Sequence, residues 1–187
     1  MYNKHSDRII LAAMGDLRIK TERLLITKFD ESMAASVHFN SLDEDNRRFL
    51  PDEVFETIEK AQDVIQFLIR CYSENGGPFV YPVLLSAGNE NIGHVQAVSL
   101  NNGSWEVGYH IAKKYTENGY AAEAVKAFVP VITKLLGISG IWGICRTDNI
   151  ASCRVLEKSG FELQHKMIAN YHGEQHEVCK YLYNTPI

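Results

Sequence analysis

A carboxylate and an imidazole four residues apart carry the most reactive chemistry of this sequence: Glu106 and His110 in Trp105-Glu106-Val107-Gly108-Tyr109-His110-Ile111. Alternate side chains of a strand share a face. The odd positions here are all large and apolar or aromatic and suit a core, whereas the even positions are Glu, Gly and His. Glu106 and His110 therefore point the same way. Gly108 leaves a gap between them, an arrangement that would present a base beside a slot for a ligand. A solvated strand face with ordinary charges has the same pattern, and spacing alone leaves both readings open.

Directly after this run the chain reads Lys113-Lys114-Tyr115-Thr116-Glu117-Asn118-Gly119-Tyr120-Ala121-Ala122-Glu123-Ala124. The first turn of a helix has unpaired N–H groups and a partial positive charge, so small residues such as Gly119 and Ala121 would let phosphate oxygens approach it. A tight strand-to-helix connection explains the same residues without a ligand. A third segment, Asp148-Asn149-Ile150-Ala151-Ser152 through Glu157-Lys158-Ser159-Gly160-Phe161, reads locally as a helix capped by Asn149 and ended by Gly160. Asn149 and Ser152 both face outward near its start, where they could hydrogen-bond a ligand amide.

The elements that must position these groups follow from period and punctuation. Arg23 to Thr27 is a first strand and residues 31–41 a short helix. Thr57 caps a second helix, in which Ile58, Ala61, Val64, Ile65, Leu68, Ile69 and Tyr72 recur at buried-stripe spacing until Glu74-Asn75-Gly76-Gly77-Pro78 breaks it. Phe79–Leu85, Ile92–Leu100 and Trp105–Ile111 are three strands joined as hairpins. Asn118–Leu136 is a long helix that Gly137 terminates and Pro130 should bend. Ile141–Cys145 is a strand, Asn149–Ser159 a helix, and Phe161–Asn170 and Glu177–Tyr183 are strands flanking a turn at His172-Gly173. The order β, α, α, three β, α, β, α, two β predicts an α/β (α+β) fold with a mixed, mostly antiparallel sheet of about seven strands flanked by about four helices. One domain over residues 1–187 is expected, with residues 1–16 as a peripheral extension.

Composition narrows the function classes. The 187 residues are 45% apolar and 22% charged, with a formal charge of −4 and a pI near 6.0, so the chain has no basic footprint for nucleic acid. An acidic surface suits an amine-bearing partner. The four cysteines, Cys71, Cys145, Cys153 and Cys179, form no C-x-x-C pair, which points to reduced thiols in a cytoplasmic protein and not to a metal. The run Ile9–Met14 is shorter than a signal-peptide core, and no segment reaches membrane-spanning length.

Together the three chemical segments resemble the GNAT acetyltransferase superfamily, from about Leu17 to Tyr183, and most closely its ribosomal-protein N-terminal acetyltransferase (RimJ/RimL) type. The family loop Q/R-x-x-G-x-G/A matches Thr116, Glu117, Asn118, Gly119, Tyr120 and Ala121, and the second family motif matches Asn149–Ser152 through Phe161, about 30 residues on. Thr116 departs from the usual Gln or Arg, and Glu117 stands where branch members often have glycine. Many relatives carry a general-acid tyrosine where this chain has Leu156.

The resemblance implies a three-layer fold and acetyl-coenzyme A as co-substrate, with its diphosphate on the 116–121 loop and its pantetheine beside the Glu106 strand, near Asn149 and Ser152. Backbone amides near His110 and Ile111 would hold the acetyl carbonyl. Glu106 would take the proton from an acceptor amine, with His110 in reserve, and Ser152 would protonate the leaving thiolate. The acceptor would be a protein N-terminus or a small-molecule amine. A homodimer paired through the last strands is compatible with the pattern. The alternative is a catalytically degenerate acyl-coenzyme A binding module, which Thr116, Glu117 and Leu156 favour. Three features are set aside: His172 and His176, which a glycine turn separates; Trp105 and Trp142, read as packing residues; and Arg47-Arg48-Phe49-Leu50-Pro51, either a wall of the acceptor cleft or a basic surface loop.

Overall fold

The computed structural model of the chain describes residues 12–74 and 76–185. Eight strands form one sheet: β1 (Ile19–Lys20), β2 (Leu24–Ile26), β3 (Phe79–Leu85), β4 (Asn91–Ser99), β5 (Trp105–Ile111), β6 (Gly140–Arg146), β7 (Glu162–Tyr171) and β8 (Glu174–Asn184). Their spatial order is β1-β2-β3-β4-β5-β6-β8-β7, with every neighbouring pair antiparallel except β5 and β6. The strand beyond the expected seven is β1, two residues long and too short to show a period.

Helices cover the sheet in two layers. On one face lie α1 (Ala34–Ser41), α2 (Glu44–Phe49) and α3 (Ile58–Cys71); on the other lie α4 (Tyr120–Leu136) and α5 (Ile150–Lys158). Thr57 caps α3 by accepting from the Lys60 N–H, and Ala61, Ile65, Leu68 and Cys71 form its buried stripe. This layer meets the sheet through Phe29, Ala34, Ile65, Leu68 and Val80. The larger core, with Tyr81, Val95, Val107, Phe128 and Ile132 all buried, lies under α4. Because β3 is covered on both sides, it reads as a continuous apolar run.

Some boundaries differ from the sequence reading. Residues 31–33 form a 3₁₀ turn ahead of α1, and α2 follows as a separate helix. Its sequence, EDNRRF, has no apolar stripe; it is fixed instead by the Asp43 cap and by Asn46, whose Nδ2 donates to Ser41 O and Glu53 O. The long helix starts at Tyr120, not Asn118, because Gly119 adopts a left-handed φ of 79° as its cap. Of the 1–16 extension, residues 1–11 lie outside the described residues. Its end is not peripheral: Met14 is fully buried and its carbonyl accepts from the Tyr81 hydroxyl at 3.1 Å. Among the described residues no helix is long and apolar enough to cross a membrane.

Candidate active site

The sheet parts at β5 and β6, the only parallel pair among the described residues. β5 and β6 share two residue pairs, Glu106 with Trp142 and Val107 with Gly143, after which β5 continues beside β4 and β6 beside β8. A cleft of about 500 Å³ opens along this split, and Glu106, His110, Ile111, Thr116, Ala121, Asn149 and Ser152 all line it. Glu117, Asn118, Gly119 and Tyr120 form the loop at its edge and are not among its lining residues.

Burial pushes the Glu106 carboxyl up to about 7, against the opposing pull of the Lys180 ammonium. Lys180 Nζ sits 4.2 Å from the centroid of the Trp142 ring, and Trp142 is the strand partner of Glu106. Trp142 is thus more than packing: it seats a cation near the carboxylate. A carboxyl that titrates near neutrality accepts a proton and gives it up again at working pH, which suits a general base.

The rest of this strand face is a network of ionisable groups. The Gly108 gap is filled by the Gln96 amide: a Cβ on Gly108 would come within 2.5 Å of Gln96 Nε2. Gln96 in turn donates to Glu53 Oε1 at 3.1 Å. His94 Nε2 approaches Glu53 Oε2 at 3.1 Å, and His110 Nε2 lies 3.7 Å from Asp43 Oδ2. Burial acts to raise the Glu53 and Asp43 carboxyls, but the facing imidazoles and hydrogen bonds outweigh it and hold both at about 2. His110 is therefore tied to a carboxylate partner, whereas Glu106 has no hydrogen-bond partner among the described residues. That contrast favours Glu106 as the free base.

Strand register divides the candidate main-chain donors. Ala112 N donates to Ile92 O and Leu100 N to Ser104 O, so alternation gives the even β5 amides, His110 included, to the β4 ladder. The expected His110 N–H is spent there. The N–H of Ile111, and that of Tyr109, face the split.

At the loop, the first main-chain bond of α4 runs from Glu123 N to Gly119 O at 3.1 Å. The amides of residues 117–122 have no protein acceptor among the described residues, as an anion-binding turn requires. Thr116 Oγ1 donates to Lys113 O, and Asn118 Nδ2 donates to Thr116 O, so both side chains fold back onto the loop. Glu117 is exposed, with a left-handed φ of 66°. Arg23 clamps the loop from β1–β2: its Nη1 donates to Asn118 O at 3.0 Å and its Nε to Glu123 Oε2 at 2.7 Å, and its guanidinium covers the Tyr120 ring.

Across the split, Asn149 Oδ1 accepts from Ser152 N at 3.1 Å and so serves as the cap of α5, with less freedom to bind a ligand through that oxygen. Ser152 Oγ shares a 2.8 Å hydrogen bond with the Tyr109 hydroxyl. Burial raises Tyr109 well above the ordinary phenol range, so it stays protonated. The sequence reading assigned Tyr109 only to the core; its one signal was a tyrosine where phenylalanine would pack equally well. Leu156 is buried against Gly143, away from the cleft.

The α2 region and the far side of the cleft are bridged twice. Arg48 Nη2 pairs with Asp148 at 2.8 Å, and Arg146 completes that cluster at 2.7 Å. Asp52 Oδ2 pairs with His172 Nδ1 at 2.5 Å. The 47–51 segment is thus a wall of the cleft and not a free basic loop. His176 instead pairs with Glu174, so the two histidines do not converge. Among the described residues no group of three or more His, Cys, Asp or Glu side chains is arranged to hold a metal ion.

Comparison with known proteins gives a consistent picture. Residues 23–162 match the family model described as acetyltransferase (GNAT) domain. An uncharacterized N-acetyltransferase of Bacillus subtilis, YoaA, is 29% identical over 146 residues, which is 77% of this chain and 82% of the relative. A GNAT-family acetyltransferase from Bacillus anthracis superposes with a TM-score of 0.77 at 27% identity, over 90% of this chain and 98% of that one. RimL, a ribosomal L7/L12 alpha-N-protein acetyltransferase solved with coenzyme A, shares the fold with a TM-score of 0.77 at 21% identity, over the same shares, 90% and 98%.

Proposed function

Because the chain belongs to the GNAT family of acetyltransferases, we propose that it moves an acetyl group from acetyl-coenzyme A to a primary amine, either a protein N-terminus or a small molecule. The observation that carries this reading is Glu106: a desolvated carboxylate, near neutral in its titration and unpartnered, at the mouth of the β5–β6 split.

In this reading the free amides of residues 117–121 hold the diphosphate and the split receives the pantetheine arm. The Ile111 N–H takes the thioester oxygen. Glu106 accepts a proton from the acceptor ammonium, directly or through a water, and the freed nitrogen attacks the acetyl carbon. The C–N bond forms, the C–S bond breaks, and the electron pair leaves on sulfur. Ser152 Oγ gives that thiolate a proton and regains one, through water, from the attacking nitrogen, which sheds its second proton as the amide forms, while the Tyr109 hydroxyl keeps its own proton and holds Ser152 in place. Proton transfer of this kind is worth about two to four powers of ten in rate, and positioning supplies much of the rest.

Thiol release from acetyl-coenzyme A, followed with a panel of amines and short peptides, tests the reading. Glu106→Gln should abolish most of the release that wild type shows. Equal turnover of the two proteins across pH would remove Glu106 from the mechanism.

A further inference from the structure

A second cavity, of about 270 Å³, lies beside the cleft between α1, α3 and strands β3 and β4. Its walls are apolar, supplied by Phe29, Val37, Phe55, Val64, Phe67 and Val80. The partition between it and the catalytic cleft is made of Glu53, Gln96 and His110, which line both. Polar groups between α1 and the strands are turned to protein partners: Asn40 Nδ2 donates to Asn91 O at 2.8 Å, and Ser41 Oγ donates to His38 O while accepting from Phe55 N. Glu53 Oε2 and His94 Nε2 are without hydrogen bonds, but they face each other and are shielded from solvent.

Such a chamber offers a polar ligand few open donors or acceptors, and rewards chiefly the transfer of apolar surface out of water. Its size is just below that of pockets that enclose a whole small molecule, so it fits a part of one. Charge identifies the rest of the occupant. Asp52 borders the chamber, Glu53 lies between chamber and cleft, and Asp43, Asp45 and Glu106 continue along the cleft; Lys113, the one lysine among the cleft's lining residues, is paired with Asp45, and the remaining partners are imidazoles, so the carboxylates outnumber the permanent cations and favour an ammonium.

We propose that this chamber is an acceptor subsite for one bulky apolar group, the size of a benzyl or isobutyl group, of an amine whose nitrogen lies at the Glu106 end of the cleft. The proposal rests on the acetyl-transfer reading above and narrows its substrate to amphiphilic amines. The same chemistry is offered by a free arylalkylamine and by a peptide whose first residue is phenylalanine or leucine.

Thiol release is compared for 2-phenylethylamine against ethylamine, and for peptides starting with Phe or Leu against Ala. Full burial of the apolar group should raise kcat/KM about ten- to hundredfold over the small counterpart. The better of the two series identifies the source. Val64→Trp fills the chamber and should pull that ratio down toward one; Val37→Phe, a smaller change on a different helix, should do so in part if Val64→Trp fails to fold. Calorimetry of 2-phenylethylamine in the presence of coenzyme A reads the subsite without turnover. Equal rates for small and bulky amines would overturn the subsite and leave acetyl transfer standing. Binding that Val64→Trp abolishes, with no thiol released from any amine, would support the subsite while overturning the transfer reading.

Discussion

The loop at 116–121 and the strand face from Glu106 to His110 flank one cleft but are built on opposite terms. The loop presents main-chain amides; its side chains turn back on themselves, as Thr116 and Asn118 do, or out to solvent, as Glu117 does. Such a site tolerates changes of residue type as long as the backbone path is kept. The strand face works through side chains, and each carboxylate takes its character from its neighbours. Asp43 and Glu53, facing imidazoles, titrate at about 2, whereas Glu106, with a more modest pull from Lys180, titrates at about 7. Recognition by backbone is robust, and proton transfer by a tuned side chain is not.

The largest expected effect follows from that difference. Glu106→Gln should lower kcat by about two to four powers of ten in the thiol-release assay, because it removes the base and little volume. It should also stabilise the protein. A carboxyl whose pKa is raised from 4.5 to about 7 on folding contributes stability below pH 4.5 that is lost as pH rises through 7. The difference amounts to about 3 kcal/mol as an upper estimate, at 1.36 kcal/mol per unit. Thermal melts should thus show the variant ahead of wild type at pH 8 and the two close together at pH 4. Asp43 and Glu53 carry the opposite sign: their stability is present above about pH 4.5 and lost as pH falls toward 2.

The loop should break through its clamp sooner than through its own side chains. Arg23→Met removes the donor to Asn118 O and the partner of Glu123, which together hold the loop against β2. The KM for acetyl-coenzyme A should rise about tenfold with kcat nearly kept, as expected when uniform binding is lost. A variant that lost kcat and kept KM would put Arg23 in the chemistry instead.

Much of this architecture is legible in the sequence because the signals are local. The alternation in β5, the stripe of α3 and the glycines bounding α4 each fix an element within a few residues of themselves. What the sequence hides is set by partners far along the chain. Gln96 fills the space over Gly108, Arg23 reaches Asn118 from 95 positions away, and the His110 amide is consumed by a strand pairing that only the register reveals. Helix α2 stayed hidden for a related reason: polar caps hold it, and they leave no period.

Ser152 and Lys180 sharpen the strand side at smaller amplitude. Ser152→Ala should cut kcat several-fold, and less with a thioester whose thiol is more acidic, since a better leaving group needs less help from a proton donor. Lys180→Met removes the cation over Trp142 and should move the acidic limb of the kcat/KM profile to higher pH, because a positive neighbour holds the Glu106 carboxyl down. Lys180→Arg should restore the wild-type limb. The other groups on that flank are the Tyr171 hydroxyl, which lines the cleft and stays protonated up to about pH 12, and Glu53 beyond it.

The smallest effect separates backbone from side chain within the loop itself. Glu117 holds a left-handed conformation, which disfavours a residue with a Cβ by about 1 kcal/mol relative to glycine. Glu117→Gly should therefore raise the melting temperature by a few degrees. Glu117→Gln keeps the disfavoured backbone and removes only the charge, so it should leave the melting temperature where it was. If the exposed carboxylate acts on the bound diphosphate through solvent, both variants should lower the KM for acetyl-coenzyme A two- to threefold at low salt and neither should at high salt, since a Debye length of about 8 Å at 0.15 M screens the repulsion. A gain confined to the glycine variant would mean that the loop's backbone path alone governs affinity, the stronger form of the contrast between this loop and the strand across the cleft.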